Sequence, residues 1–423
     1  MVVKASTRQT DSFELLAVSF NYPPVASPRS IQVSRLLKYL RASTLVVCAD
    51  EKNARRDATI EPQAETHLRG CLRVPFALVG WRRLAASLAD RLHAPLWNRT
   101  PDHYASWKPR ALKAIRNYAA LEDYGPDLLI TFGQPMSDHL IGLELKRLYQ
   151  VPWAAHFSDP WTDNPFNRYD ALTGRRNLSL ERKVIERADR LIFTSEETIE
   201  IVMSKYPSGW KDKARVLPHS FDPALYPRAK RDRASCLMVR YTGEFYGRRT
   251  PQPLIKTLQA MLAADPSSLS DVCFELVGPI DPQTLSSSGL EALPNGLVQL
   301  MPPVNYAESL ALIADADGLL IIDAPAERSM FLPSKLIDYI GAGRPILGLT
   351  PPGTAADLIT QLGGQAAHPL DIEAMIKAMR DFLSLLRHRR KLGEESWGEP
   401  QIRDAFTAPV VAAAFEKILR EML

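Results

Sequence analysis

The sequence predicts an α/β protein of two facing Rossmann-like domains, each built on a parallel sheet, with a C-terminal helix following the second. Three observations predict it. Short apolar runs alternate with helical periodicity along most of the chain. The alternation breaks once, in a stretch rich in proline and arginine. A chain of 423 residues exceeds what one ordinary hydrophobic core accommodates.

The elements follow in order. Residues 14–20 (ELLAVSF) form a continuous apolar run, the mark of a strand covered on both faces. A loop with Pro23, Pro24 and Pro28 comes next. Val33, Leu36, Leu37 and Leu40 then recur at helical spacing. Further strands are expected at 44–48, 127–131, 153–157, 190–194 and 215–217, with helices at 139–149 and 178–188 between them. Residues 218–235 hold Pro218, Pro223 and Pro227 with Arg228, Lys230, Arg231 and Arg233, and read as a linker. The alternation restarts with strands at 236–241, 273–277, 297–300, 318–323 and 345–349. Helices fit 252–264, 306–314, 334–341, 354–362 and 372–386. The expected organisation is a first domain over 1–227, a second over 236–399, and a helix over 400–423 that packs back on the first.

Composition narrows the class. Hydrophobic residues at 46% and charged residues at 24% describe a globular protein. A net charge of +4 is small for this length and argues against a nucleic-acid partner. Cys48, Cys71, Cys236 and Cys273 form no CxxC pair and are expected as free thiols in a reducing cytosol. No apolar run approaches the roughly 18 residues that span a bilayer, and the first residues (MVVKASTRQTDSFE) are too polar for a signal peptide. A cytoplasmic protein is expected.

Four segments carry candidate chemistry. In YTGEFYGRRT (241–250), Gly243 and Gly247 allow a tight turn, and Arg248 and Arg249 suit diphosphate recognition. In FLPSKLIDYIGAGRPIL (331–347), Pro333 and Ser334 start a helix whose free N–H groups attract phosphate. Lys335 in that first turn opposes the helix dipole, which a bound anion would offset. Asp338, one turn on, can accept hydrogen bonds from ribose hydroxyls. In TFGQPMSDH (131–139), His139 lies in the first turn of a helix that follows a strand. In AHFSDPWT (155–162), His156, Asp159 and Trp161 gather near another strand end. No DxD-type metal site is apparent. Separately, residues 81–118 hold eight Lys and Arg against Asp90 and Asp102, with Trp81, Trp97, Trp107 and Tyr104 among them. Such a stretch suits an anionic membrane surface.

These phrases, with FNYPPVASPRSIQVSRLLKYL, ERADRLIFTSE, ARVLPHSFDP, LVGPI and DADGLLIID in the same order, make the chain resemble the family 4 glycosyltransferases of the GT-B fold, bacterial cell-surface polysaccharide type. The resemblance implies a retaining transfer from a nucleotide diphosphate sugar, with UDP favoured, to a glycan or polyprenyl-linked acceptor, without a further cofactor. It implies catalytic roles for His139, Arg248 and Lys335 and donor binding by Gly243, Arg249, Ser334 and Asp338. Asp159 and Trp161 fall on the acceptor side. Separately, the basic stretch over 81–118 is expected to dock the chain on the inner membrane leaflet. Met330 and Asp338 stand where many members have two glutamates. Two other readings use the same pocket: a non-catalytic GT-B binding protein of an assembly complex, and a sugar-nucleotide epimerase or hydrolase. Slow hydrolysis of a nucleotide sugar separates the first from an enzyme, and an acidic catalytic set in the cleft would mark the second.

Overall fold

A computed structural model of the chain describes residues 12–60, 68–76, 100–165, 167, 169–227, 236–394 and 396–423. By internal packing the chain divides into two units, Met1–Pro218 with Val411–Leu423, and His219–Val410.

The first unit runs β1 (Glu14–Val18), α1 (Pro28–Lys38), β2 (Ser43–Glu51), β3 (Leu68–Phe76), α2 (Lys108–Glu122), β4 (Leu128–Gly133), α3 (Ser137–Tyr149), β5 (Trp153–Phe157), α4 (Ala171–Arg187), β6 (Arg190–Phe193), α5 (Glu196–Met203) and β7 (Ala214–Val216). Its strands lie parallel in the order β3-β2-β1-β4-β5-β6-β7. Helices cover both faces, so β4 (LLITFG) and β5 (WAAHF) are buried throughout. One face packs on α2 to α5 through Ile115, Ile141, Leu145, Val184 and Val202. Local chemistry sets the helix ends: Ser27 caps α1 by accepting from the Ser30 N–H, and Asp170 caps α4 by accepting from Leu172 and Thr173.

The second unit runs β8 (Leu237–Thr242), α6 (Gln252–Ala264), β9 (Val272–Val277), α7 (Pro282–Ser286), β10 (Val298–Met301), α8 (Tyr306–Asp315), β11 (Gly318–Ile322), α9 (Ser334–Ala342), β12 (Ile346–Leu349), α10 (Thr354–Gln361), β13 (Gln365–Ala367), α11 (Ile372–Leu392) and α12 (Pro400–Asp404). The parallel order is β10-β9-β8-β11-β12-β13. A last helix, α13 (Ala408–Arg420), closes the other face of the first unit: Val411, Phe415 and Leu419 pack with Leu15, Val33 and Leu37. Each such buried side chain contributes about 1.5–3 kcal/mol.

Several features differ from the sequence reading. Strands β3 and β13 were not expected. Both are sheet edges, and β3 (LRGCLRVPF) mixes Arg69, Gly70, Arg73 and Pro75 into its apolar residues, as edges tolerate. Residues 219–227 pack within the second unit, where Phe221 is buried beside Leu336 and Tyr339. Cys236 and Cys273 are disulfide-bonded, with Cα atoms 5.9 Å apart, rather than free. Pairing of β8 with β9 sets Met238 opposite Cys273 and so brings the two cysteines together across a separation of 37 residues that carries no signal in the sequence. Cys48 and Cys71 remain thiols, with Sγ atoms 3.6 Å apart. Trp107 is fully buried and packs on Phe20, so it lends no indole to a surface. Trp81 and Trp97 lie outside the described residues. Among the described residues, no helix is long and apolar enough to cross a membrane.

Candidate functional site

In open parallel sheets, ligands bind beyond the strand C-termini where the strand order reverses. In the second unit that point lies between β8 and β11. β8 ends in Tyr241 and Thr242 and runs into Gly243; β11 runs into Asp323. The switch point therefore gathers the glycine loop, the Asp323 carboxylate and the start of α9.

Gly243 has φ +139°, a conformation that side chains resist, and an added Cβ would fall 2.5 Å from Lys335 Nζ. Lys335 Nζ donates to the Tyr241 hydroxyl at 2.7 Å and sits 4.0 Å from the centre of that ring. Burial, then the nearby Arg249, pushes the Lys335 ammonium down to about 7, while Asp323 opposes the shift. Arg249 Nη2 donates to Asp323 Oδ1 at 2.8 Å, its Nη1 donates to the Tyr246 hydroxyl at 3.1 Å, and its Nε has no partner. Thr350 holds the other Asp323 oxygen at 2.9 Å. At the far side of α9's first turn, Asp338 Oδ1 accepts from the Tyr306 hydroxyl at 2.9 Å. A cationic cradle open at a glycine backbone, flanked by a carboxylate that accepts hydroxyl hydrogen bonds, can hold a diphosphate and a polyol.

Of the residues singled out from sequence, the structure brings Gly243, Arg249 and Lys335 together, with Ser334 opening the same helix and Asp338 one turn on. Arg248 is exposed and stands outside the cluster. Tyr241 and Asp323 were missed. Asp323 had one signal, an acidic residue closing an otherwise apolar strand; Tyr241 had none, since a tyrosine ending a strand reads as core.

In the first unit the switch point lies between β1 and β4, and a polar cluster is buried there. His139 is enclosed within the third residue position of α3 rather than facing open space. Trp153 Nε1 donates to the Thr131 hydroxyl at 3.0 Å, and that hydroxyl lies 2.8 Å from His139 Nδ1. The hydroxyl accepts from the indole and has both a hydrogen and a second lone pair to offer Nδ1, so the direction of that bond and the tautomer of the neutral ring are set together. The His139 Nε2 has no partner, and a Cβ on Gly133 would lie 2.6 Å from it. Burial, then Arg29, pushes His139 down to about 3, so the ring stays neutral. Arg29, missed from sequence, is buried and donates to His156 Nδ1 at 3.1 Å and to the His156 carbonyl at 3.2 Å. Asp159 lies close enough to feel the Arg29 charge, and burial raises its carboxyl above the usual range. Trp161 is enclosed in the core, its Nε1 donating to Asn177 at 3.3 Å, so its ring meets no solvent. Of the basic stretch, Arg110, Lys113 and Arg116 are exposed on α2.

Comparison with known proteins fits this architecture. Residues 30–219 match a glycosyl transferase 4-like domain. Sequence comparison with curated proteins finds no match. The sucrose-phosphate synthase of Thermosynechococcus elongatus has a similar structure, with a TM-score of 0.69 and 17% identity over 97% of this chain and 98% of that one. Anabaena HepE in complex with UDP and glucose gives 0.62 and 13%, over 97% and 100%. An Escherichia coli protein described as trehalose-6-phosphate bound with UDP-2-fluoro glucose gives 0.64 and 12%, over 97% and 99%. At these identities the likeness shows the fold. Two parallel Rossmann-like sheets and these structural likenesses give the chain a GT-B-type fold, and residues 30–219 match a glycosyl transferase 4-like domain.

Proposed function

We propose that the enzyme transfers a sugar, with retention of configuration, from a UDP-sugar to a hydroxyl of a glycan or lipid-linked saccharide in cell-surface polysaccharide assembly. The approach of Lys335 Nζ to the open backbone of Gly243, with the Arg249 charge close by, carries this reading. In it, Lys335 and Arg249 stabilise the charge that develops on the departing diphosphate. Asp338 and Tyr306 hold the ribose. His139, enclosed behind Gly133 and kept neutral down to about pH 3, positions the acceptor side of the site without taking a proton. Asp159 serves the acceptor side. The leaving phosphate takes the acceptor's proton, so no enzymatic nucleophile is required. That UDP and UDP-2-fluoro glucose occur with structural neighbours supports the choice of nucleotide.

The test is kinetic. Lys335→Ala and Arg249→Ala, each with unchanged circular dichroism, should lose at least about a hundredfold in kcat/KM with the productive UDP-sugar. Near-normal turnover in both overturns the assignment. The donor is found by thermal shift against a panel of nucleotide sugars, since a ligand of the native state raises Tm. Peripheral attachment belongs to the same proposal: Arg110, Lys113 and Arg116 on α2 present charge suited to an anionic leaflet. Flotation with anionic vesicles that persists after their reversal to Glu would exclude that surface.

A further inference from the structure

The end of β11 contains a carboxylate that the transfer reaction does not itself require. Asp323 is buried, in contact with Arg249 and held from behind by Thr350. Arg249 follows Gly247, which has φ +58°, on a loop whose neighbours Tyr246 and Arg248 are exposed. A guanidinium on such a loop samples many positions, and ordering it on binding weakens affinity. Here it is fixed beforehand. Nη2 is held by Asp323, Nη1 by Tyr246, and the guanidinium carbon lies 5.0 Å from the Tyr246 ring centre. Nε, buried, has no partner among the described residues.

We propose that Asp323 is a positioning residue of the donor cradle: anchored by Thr350, it sets the Arg249 guanidinium in place for the diphosphate of the nucleotide sugar. The inference rests on the assignment of Arg249 and Lys335 to the donor and adds a residue that touches no substrate. The carboxylate has a second consequence. It pairs with Arg249, so the unliganded cradle holds one ion pair and a lysine pushed down to about 7 instead of two uncompensated cations. Removing Asp323 therefore loosens Arg249 and also takes away the charge that supports Lys335 in its protonated form.

The experiment is a double-mutant cycle with UDP as the probe, read by calorimetry, on the full chain. Asp323→Asn keeps the shape and the Thr350 contact, and Asp323→Ala removes both; Tm confirms that each folds. Arg249→Ala is expected to weaken UDP binding by about tenfold or more, and Asp323→Ala by about tenfold, with Asp323→Asn intermediate. Measured well below pH 7, where Lys335 stays protonated, the double variant Asp323→Ala/Arg249→Ala should bind no more weakly than Arg249→Ala alone, because there Asp323 acts through Arg249. The pH at which affinity for UDP-glucose falls should also move to lower pH in Asp323→Asn, a change that a merely structural role would not produce. Additive effects in the cycle, or an Asp323→Asn variant with wild-type affinity and an unmoved pH profile, overturn the positioning role. If Arg249→Ala and Lys335→Ala both bind UDP normally, the donor assignment fails, and the positioning role fails with it. The two failures are therefore told apart by the single variants.

Discussion

If Lys335 holds the donor as proposed, binding depends on pH in a direction that the geometry fixes. Its ammonium titrates at about 7, because it is removed from water against Tyr241 and faces Arg249. The group is about nine-tenths protonated at pH ~6 and about one-tenth at pH ~8. If the diphosphate binds the protonated form, apparent affinity scales with that fraction and falls about tenfold between those values, or about 1.4 kcal/mol. The sign follows from the depressed pKa of a base: binding is fully supported below 7 and is lost as pH rises through it. The bound diphosphate restores the ammonium, so binding at pH ~8 should take up close to one proton. Titration calorimetry with UDP-glucose, whose phosphates carry no proton across this range, measures both quantities when run in buffers of different ionisation heat. Lys335→Met should remove the slope and the proton uptake together. A flat affinity between these values, or an uptake that survives in Lys335→Met, refutes the reasoning.

Three further outcomes are expected. Gly243→Ala places a methyl 2.5 Å from Lys335 Nζ at φ +139°, so the lysine must leave; KM for the donor should rise at least about tenfold in steady-state assays while the fold persists. Glu181 is fully buried and accepts from the Thr162 N–H, Lys205 and Tyr206, tying the SDPWT loop to α4. Glu181→Ala should cost about 2–4 kcal/mol in urea denaturation, since it leaves those donors without their acceptor. Cys273→Ser opens a link between residues 37 apart, and chain entropy gives a loss of about 4 kcal/mol, read as a lower urea midpoint that reducing agent reproduces in the wild-type protein.

Much of the fold was legible because parallel strands covered on both faces must be apolar throughout. LLIT in β4 and GLLII in β11 fit strands enclosed between helical layers. The edges β3 and β13 escaped notice because an edge strand is free to carry Arg69, Arg73 and Pro75. In the site, Gly243 and Lys335 were legible since glycine next to a strand end and a lysine in a first helical turn are locally odd. Tyr241 ends a strand whose sequence looks like core and Asp323 carries only the hint of an acidic strand end; the two meet Lys335 and Arg249 only once β8 and β11 lie side by side. The indoles misled in the other direction: Trp107 and Trp161 stand among charged residues in the sequence yet fill the interior. Cys236 and Cys273 meet only through strand register.

The route of the chain through α13 affects the order in which the protein can be made. The apolar face formed by Leu15, Val33, Leu37 and Ile130 is completed by Val411, Phe415 and Leu419. A ribosome therefore emits the whole of the second unit before the patch that seals the first. Until then the nascent first unit carries an unsealed greasy flank, which makes it a natural client for chaperones. Once α13 has emerged, it and β1 share a single core.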